Sequence, residues 1–198
     1  MIPANAPRLE KNQFKLLARA LFAYVKPFKL RFLQAAASML FLATIRGGIK
    51  SIARQGACPE AQWPYDLAQL LVQPPQACFQ AALAHRAVSY KRIHRDLDLF
   101  RACLAEGWPF VFGFSVYASF HAPEVGLDGA VPMPQHGESH HGGHAVLAVG
   151  YDDAARTFLF LNSFGAGWGQ GGFGTMPYDY LAHPHLSEDF WTLRAVAG

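Results

Sequence analysis

The sequence predicts an α+β fold in which helices accompany an antiparallel sheet, and three observations support this. Segments 45–56 and 95–107 have apolar residues at helical spacing and end on glycine. Much of the chain after residue 108 consists of apolar runs of strand length, rich in β-branched and aromatic residues. Two of these runs, 144–151 and 155–162, flank a short polar turn, which is typical of a hairpin.

Length and composition limit the class of protein. With 198 residues, 52% of them hydrophobic and 16% charged, the chain is expected to form one globular domain or two small lobes around a cleft. Before Glu60 there are ten basic residues and one acid, so the formal net charge of +3 is unevenly distributed. No nucleic-acid-binding motif accompanies this basic region, and we expect no nucleic-acid partner.

Residues 1–44 form an atypical basic and apolar leader. Its two apolar runs are each shorter than the ~20 residues that a membrane-spanning helix needs. Basic residues are spread through it, unlike the compact charged region of a signal peptide, so the compartment is left unassigned. Contact of a basic amphipathic helix with a membrane surface remains an open alternative.

From residue 45 onward the elements can be assigned in order. A helix ends at Gly56, and a proline-rich loop follows. Segment 80–93 is ambiguous, since it begins with helical spacing and ends with strand-like alternation. A helix is predicted over 95–107, with Leu97, Phe100 and Leu104 facing inward and Cys103 in the core. The segments that follow are predicted as a buried strand over 108–117, a long loop of the kind that is either functional or disordered over 118–143, strands over 172–176 and 189–196, and a turn or short helix over 177–181.

His144 and Asn162 are the candidate functional pair, because they stand at the outer ends of the predicted hairpin. If they pair directly, Tyr151 pairs with Ala155 and a three-residue loop remains, which is a common hairpin length. Both side chains then lie on one face of the sheet, whereas a one-residue slip would separate them. An amide beside an imidazole can hold the ring in one tautomer, as a general base requires.

The two segments HAVLAVGYDD and FLNSFGAGWGQGGFG resemble the C-terminal half of the papain-like cysteine peptidases, closest to their bacterial branches. The resemblance implies an antiparallel β-rich lobe with a remnant of the helical lobe, over a partial domain at 45–198. It implies that His144 is the catalytic base and Asn162 its orienter. Phe164 stands where the family usually has Trp and would shield the His–Asn hydrogen bond, and Trp168 matches the second Trp of the motif. Three glycines, Gly165, Gly167 and Gly169, suit a tight turn.

The nucleophile of the family is missing from the expected place. Its QGxCGSCW motif has no counterpart in residues 1–44, and no cysteine precedes Cys58. The motif QGAC at 55–58 is rejected as a substitute, because Ala61 stands where the nucleophile would be and prolines interrupt the helix that should follow. We therefore expect a truncated or degenerate relative without activity, with a polypeptide substrate or ligand as partner and no cofactor.

Two other classes of function remain open. His136, His140, His141 and His144 could bind zinc, although Gly142 and Gly143 argue against a helix that would direct two histidines to one side. A non-catalytic relative could instead bind an extended peptide along a strand edge. The three cysteines Cys58, Cys78 and Cys103 are expected to be buried apolar residues rather than a disulfide framework.

Overall fold

The computed structural model describes residues 45–196, except residues 65 and 70. The prediction for the leader at 1–44 falls outside these residues. Within the described part of the chain, no helix combines the length and apolar character needed to cross a bilayer.

Short helices and six strands make up the described chain. The α-helices are α1 (Ile45–Gln55), α2 (Gln76–Leu83), α3 (Leu97–Ala105), α4 (Pro123–Asp128) and α5 (Tyr178–Ala182), with 3₁₀ turns at Leu67–Gln69 and Ala118–His121. The strands are β1 (Ala87–Arg92), β2 (Phe110–Tyr117), β3 (His140–Asp152), β4 (Thr157–Leu161), β5 (Phe173–Pro177) and β6 (Ser187–Val196). The predicted α+β class is confirmed.

The strands form one antiparallel sheet in the order β1-β6-β2-β3-β4-β5. β2 and β3 are the two central strands, and β1 and β5 lie at the edges of this sheet. β3 is paired with β2 at His144 itself and with β4 from Leu147 onward, so the strand that carries the imidazole is a rigid support. The fold thus gives the candidate residue His144 a fixed position.

Aromatic side chains dominate the core of this sheet. Alternate residues of β2, namely Phe110, Phe112 and Phe114, point into the core, where the Phe110 ring meets Phe158 from β4. Full burial of each such side chain contributes about 1.5–3 kcal/mol of hydrophobic stabilisation. The buried strand predicted over 108–117 is therefore confirmed as β2, with its boundary at Phe110.

Helix α3 covers this core much as its sequence predicts. Phe100 is completely buried and stacks on Phe110 at 5.1 Å, and Cys103 is buried in the same cluster. The Asp96 carboxylate caps the helix by accepting hydrogen bonds from two backbone N–H groups, and Gly107 ends it with φ +83°. The ambiguous segment 80–93 resolves into the end of α2 and strand β1.

The prediction of one long loop over 118–143 is wrong. The segment contains the 3₁₀ turn at Ala118–His121 and helix α4, and β3 begins at His140. Both helical pieces are too short for a hydrophobic period to be visible in the sequence. The Glu138 carboxylate accepts hydrogen bonds from the backbone N–H groups of Ser119 and Gln135, which ties the remaining loop to the 3₁₀ turn.

The hairpin exists, but its predicted register is wrong. Leu147 pairs with Leu161 and Tyr151 with Phe158, with a bulge between Ala148 and Gly150. Near His144 this register differs from the predicted one by two residues. A shift of two keeps the side-chain parity, so His144 and Asn162 still share a face, as diagonal rather than direct neighbours.

Candidate active site

His144 and Asn162 are in direct contact. The imidazole Nε2 lies 2.9 Å from the Asn162 Oδ1, as the sequence predicts for the two side chains. His144 is held by the pairing of β3 with β2, opposite Phe114. Asn162 follows the last residue of β4, and its backbone N–H donates to the Gly172 carbonyl at 2.9 Å.

A second hydrogen bond fixes the orientation of the Asn162 side-chain amide. The backbone N–H of Ser163 donates to Oδ1 at 2.8 Å, and an N–H group can only donate. The same Oδ1 therefore accepts from His144, so Nε2 carries the hydrogen. In the neutral ring Nδ1 is then left with its lone pair, and no described group hydrogen-bonds to it. Nδ1 is the atom that can accept a proton.

Aromatic rings surround the imidazole. Phe164 stacks on it at 5.0 Å, and Phe114 and Phe120 meet it at 5.6 Å and 6.0 Å between ring centroids. Burial lowers the pKa of His144, an effect that the hydrogen bond to Asn162 opposes and the nearby charge of His121 reinforces. The ring is therefore neutral and ready to accept a proton near neutral pH.

Phe164 and Trp168 are neighbours, and the Phe164 ring stacks on the His144 imidazole. Phe164 is 53% exposed although one face of its ring covers the imidazole. The Trp168 ring meets Phe164 edge-on at 6.0 Å and also contacts Phe120 and Phe160. Trp168 thereby connects the exposed cover of the imidazole to the core.

Close backbone approaches hold the loop after Asn162. A Cβ atom at Gly169, where φ is +55°, would lie 2.4 Å from the Phe173 carbonyl oxygen, and one at Gly174 would lie 2.6 Å from that of Gly129. The Gly169 N–H donates to the Gly126 carbonyl at 2.8 Å, which joins this loop to α4. Of the three predicted turn glycines, Gly165 and Gly169 have positive φ and Gly167 does not.

All three cysteines lie in the described part of the chain, and they form no disulfide. Cys58 and Cys78 are buried in a small cluster with Ala82, separate from the main core. Cys103 lies in the main core, where burial raises the pKa of its thiol. The expectation that all three are buried is confirmed.

The histidines of the predicted loop do not converge. His140 and His141 belong to the start of β3, where the His140 ring contacts Tyr117 and the His141 ring stacks on His121. Among residues 45–196 as described, no group of three or more histidine, cysteine or acidic side chains is placed to hold a metal ion.

Sequence reasoning missed two neighbours of the imidazole, Phe120 and His121. Both lie at the end of the 3₁₀ turn that follows β2. The available signal was their position in the segment 118–143, for which the sequence predicts a function. Both residues are far from His144 in the chain, so the sequence did not indicate that they lie beside its ring.

Comparison with known proteins identifies the family. The model of the papain family cysteine proteases matches residues 45–187. An uncharacterized peptidase C1-like protein of Acanthamoeba polyphaga mimivirus is 40% identical over 162 residues, which are 78% of this chain and 52% of that protein. The crystal structure of Xylellain, a cysteine protease from Xylella fastidiosa, is 40% identical with a TM-score of 0.71, over 78% of this chain and 62% of that one.

A more distant structure agrees in fold. The digestive procathepsin L2 proteinase of Tenebrio molitor larval midgut has a TM-score of 0.54 at 19% identity, over 73% of this chain and 46% of that one. The chain spans about half the length of its viral relative and about three-fifths of Xylellain. On the extent of the family match and the identity to these relatives, the chain belongs to the papain family of cysteine proteases.

Proposed function

We propose that residues 45–198 carry the general-base half of a cysteine peptidase site, with His144 as base and Asn162 as its orienter. The observation that supports this is the 2.9 Å contact from Nε2 to Oδ1, in an amide whose orientation Ser163 fixes. It leaves Nδ1 as the proton acceptor, supported by a central strand and covered by Phe164.

The chemistry proposed for the complete site is acyl transfer to a thiol. His144 Nδ1 takes the thiol proton as the sulfur bonds to the scissile carbonyl carbon. The C–N bond then breaks, and the imidazolium gives its proton to the leaving amine. Water, deprotonated by the same imidazole, releases the acid from the thioester. Asn162 keeps the ring in the tautomer that both half-reactions need.

We further propose that this chain alone does not hydrolyse peptides. Its three cysteines are at most 6% exposed, so none presents its sulfur to a peptide carbonyl, and burial also raises the pKa of the Cys103 thiol. Cys58 is packed in the cluster with Cys78 and Ala82, which supports the rejection of the QGAC motif. In this proposal residues 1–198 belong to a truncated or a degenerate relative, because they contain no QGxCGSCW-like motif. The nucleotide sequence upstream of the Ile45 codon tests the shortening, since a QGxCGSCW-like stretch in any frame favours truncation.

Turnover of a fluorogenic peptide library tests the absence of activity. The purified chain should give no signal above that of His144→Ala. Turnover that disappears in His144→Ala refutes the proposed inactivity. Rapid single-site labelling by a thiol-directed epoxide that disappears in Cys58→Ala would show that the QGAC cysteine is reactive after all.

A gain of function tests the roles of the two residues. Residues 45–198 are joined to the part of Xylellain outside the matched region, and far-UV circular dichroism verifies folding. The chimera should cleave peptides, and His144→Ala should abolish cleavage whereas Asn162→Ala reduces kcat. A folded chimera whose activity survives His144→Ala contradicts the proposed role of the base.

A second candidate is a non-catalytic peptide-binding protein, which the exposure of the Phe164 ring favours. An aromatic face that is half open to solvent is a common anchor for an extended ligand. Binding of peptides by the unmodified chain, weakened in Phe164→Ala, supports this candidate. Identical binding by Phe164→Ala counts against it.

A further inference from the structure

Two exposed imidazoles lie side by side next to His144. The rings of His121 and His141 stack at 5.3 Å between centroids with an angle of 26°. His121 follows Phe120, whose ring contacts His144 at 6.0 Å. His121 is near enough for its charge to lower the pKa of His144. The pair thus lies on the exposed surface beside His144.

The surrounding sequence contains no permanent positive charge. Between Arg101 and Arg156 there is neither lysine nor arginine, although five of the nine histidines of the chain lie in this interval. Segment 163–177, whose Phe164 ring contacts Phe120, contains no charged residue. Any positive charge from these segments therefore comes from imidazoles, the side chains whose charge can change with pH near neutrality.

The nearest carboxylate is already engaged. Glu138 accepts hydrogen bonds from Ser119 and from the Gln135 N–H, and these bonds, with the charge of His141, lower the pKa of Glu138. Other titratable groups at this place are His144 and His140, whose ring meets that of Tyr117 edge-on. Glu138 is close enough to interact with the charge of His141, but neither the His121 ring nor the His141 ring has a hydrogen-bond or ion-pair partner among the described residues, so their ring nitrogens are available to a second anion.

We infer that His121 and His141 form a pH-dependent subsite for a carboxylate of a peptide bound beside His144. This inference rests on the proposed function, because it assumes that a polypeptide occupies the cleft. Protonated imidazoles donate N–H hydrogen bonds to the carboxylate, and the bound anion in turn favours protonation of both rings. The negative charge of the same anion opposes the lowering of the His144 pKa by the charge of His121.

Ring C–H resonances of the histidines in the full chain provide the assay. The probes are N-acetylated, C-amidated alanine tetrapeptides with Glu or Gln at each position in turn, titrated at pH 5.5 and 7.5. At pH 5.5 a Glu peptide should bind about fivefold more tightly than its Gln counterpart, as expected for exposed charged pairs. The difference should disappear at pH 7.5, and the Glu peptide should raise the pKa of His144. An alanine peptide with a free carboxyl terminus shows whether the carboxylate comes from a side chain or from the chain end.

Variants separate this subsite from general peptide binding. His121→Gln and His141→Gln should abolish the preference for the carboxylate peptides but keep binding of the Gln peptides. The matched control is His183→Gln, since His183 and His185 form another exposed pair, with 5.8 Å between their ring centroids. Equal affinity for Glu, Gln and free-acid peptides at both pH values refutes the subsite. A preference for carboxylate peptides that persists in both variants refutes it as well. Neither result contradicts the binding of peptides beside His144. Absence of binding by every peptide refutes the proposed peptide cleft, and the subsite with it.

Discussion

Replacement of Asn162 by alanine tests the central contact. It removes the Oδ1 that accepts hydrogen bonds from His144 and Ser163, in a side chain that is only 3% exposed. Each buried donor left without an acceptor costs about 1–3 kcal/mol. The net cost is smaller, because alanine also removes the Asn162 Nδ2, which is buried without a described hydrogen-bond partner. We expect a net loss of about 2 kcal/mol in the free energy of unfolding.

The same substitution should change the protonation of His144. Without the amide acceptor, burial and the charge of His121 act unopposed, and the pKa of His144 falls further below its usual value. The Nε2–H tautomer loses its preference, so the Nδ1–H tautomer gains population. In Asn162→Asp, a carboxylate faces the ring, and the pKa of His144 should rise above that of the unmodified protein.

Long-range ¹H–¹⁵N correlation of the imidazole at pH 7.5 reports the tautomer, and a pH titration of the same signals gives the pKa. Ser187→Ala is the control for destabilisation alone, because it removes a buried hydroxyl that donates to the Leu181 carbonyl. It should leave both His144 quantities unchanged. The reasoning is refuted if Asn162→Ala keeps the Nε2–H preference and the pKa of the unmodified protein.

Three further predictions concern stability. Gly174→Ala should lower the free energy of unfolding by about 1–3 kcal/mol in urea, since its Cβ would meet backbone and rings below 3 Å. Gly126→Ala, with nothing within 4 Å of its Cβ, should cost far less, and equal losses contradict the packing argument. Asp96→Ala should cost about 0.5–2 kcal/mol by removing the cap of α3, and an unchanged urea midpoint refutes this. The pKa of His144 is lower in the folded chain than in the unfolded chain, so the unfolded chain binds the proton first as pH falls. The free energy of unfolding should therefore decrease as pH drops below about 6.5. In paired urea titrations at pH 8 and 5.5, His144→Gln should show a smaller decrease.

Local patterns predicted the elements that have a clear period. Helix α3 could be predicted because Phe100 and its neighbours repeat at helical spacing between Asp96 and Gly107. Strand β2 could be predicted from its continuous apolar run. The short helices after β2 could not, because four and six residues contain too few repeats to distinguish a helix from a loop.

The register of the hairpin shows the limit of this reasoning. Parity alone placed His144 and Asn162 on one face, and parity is unchanged by a shift of two residues. The bulge near Ala148 and the four-residue turn before Thr157 depend on how β4 packs against β5 and the core. Sequence spacing therefore gave the shared face and not the pairing partner.

The sequence by itself determined the α+β class, the pairing of an imidazole with an amide, and the absence of a cysteine before Cys58. Only the tertiary structure decided which ring nitrogen of His144 carries the hydrogen, that Phe120 covers the ring, and that His121 stacks on His141. The physical reason is that periodicity and residue type act over a few neighbouring positions. Contacts between a 3₁₀ turn, a central strand and a glycine-rich loop arise from the packing of segments that are distant in the chain.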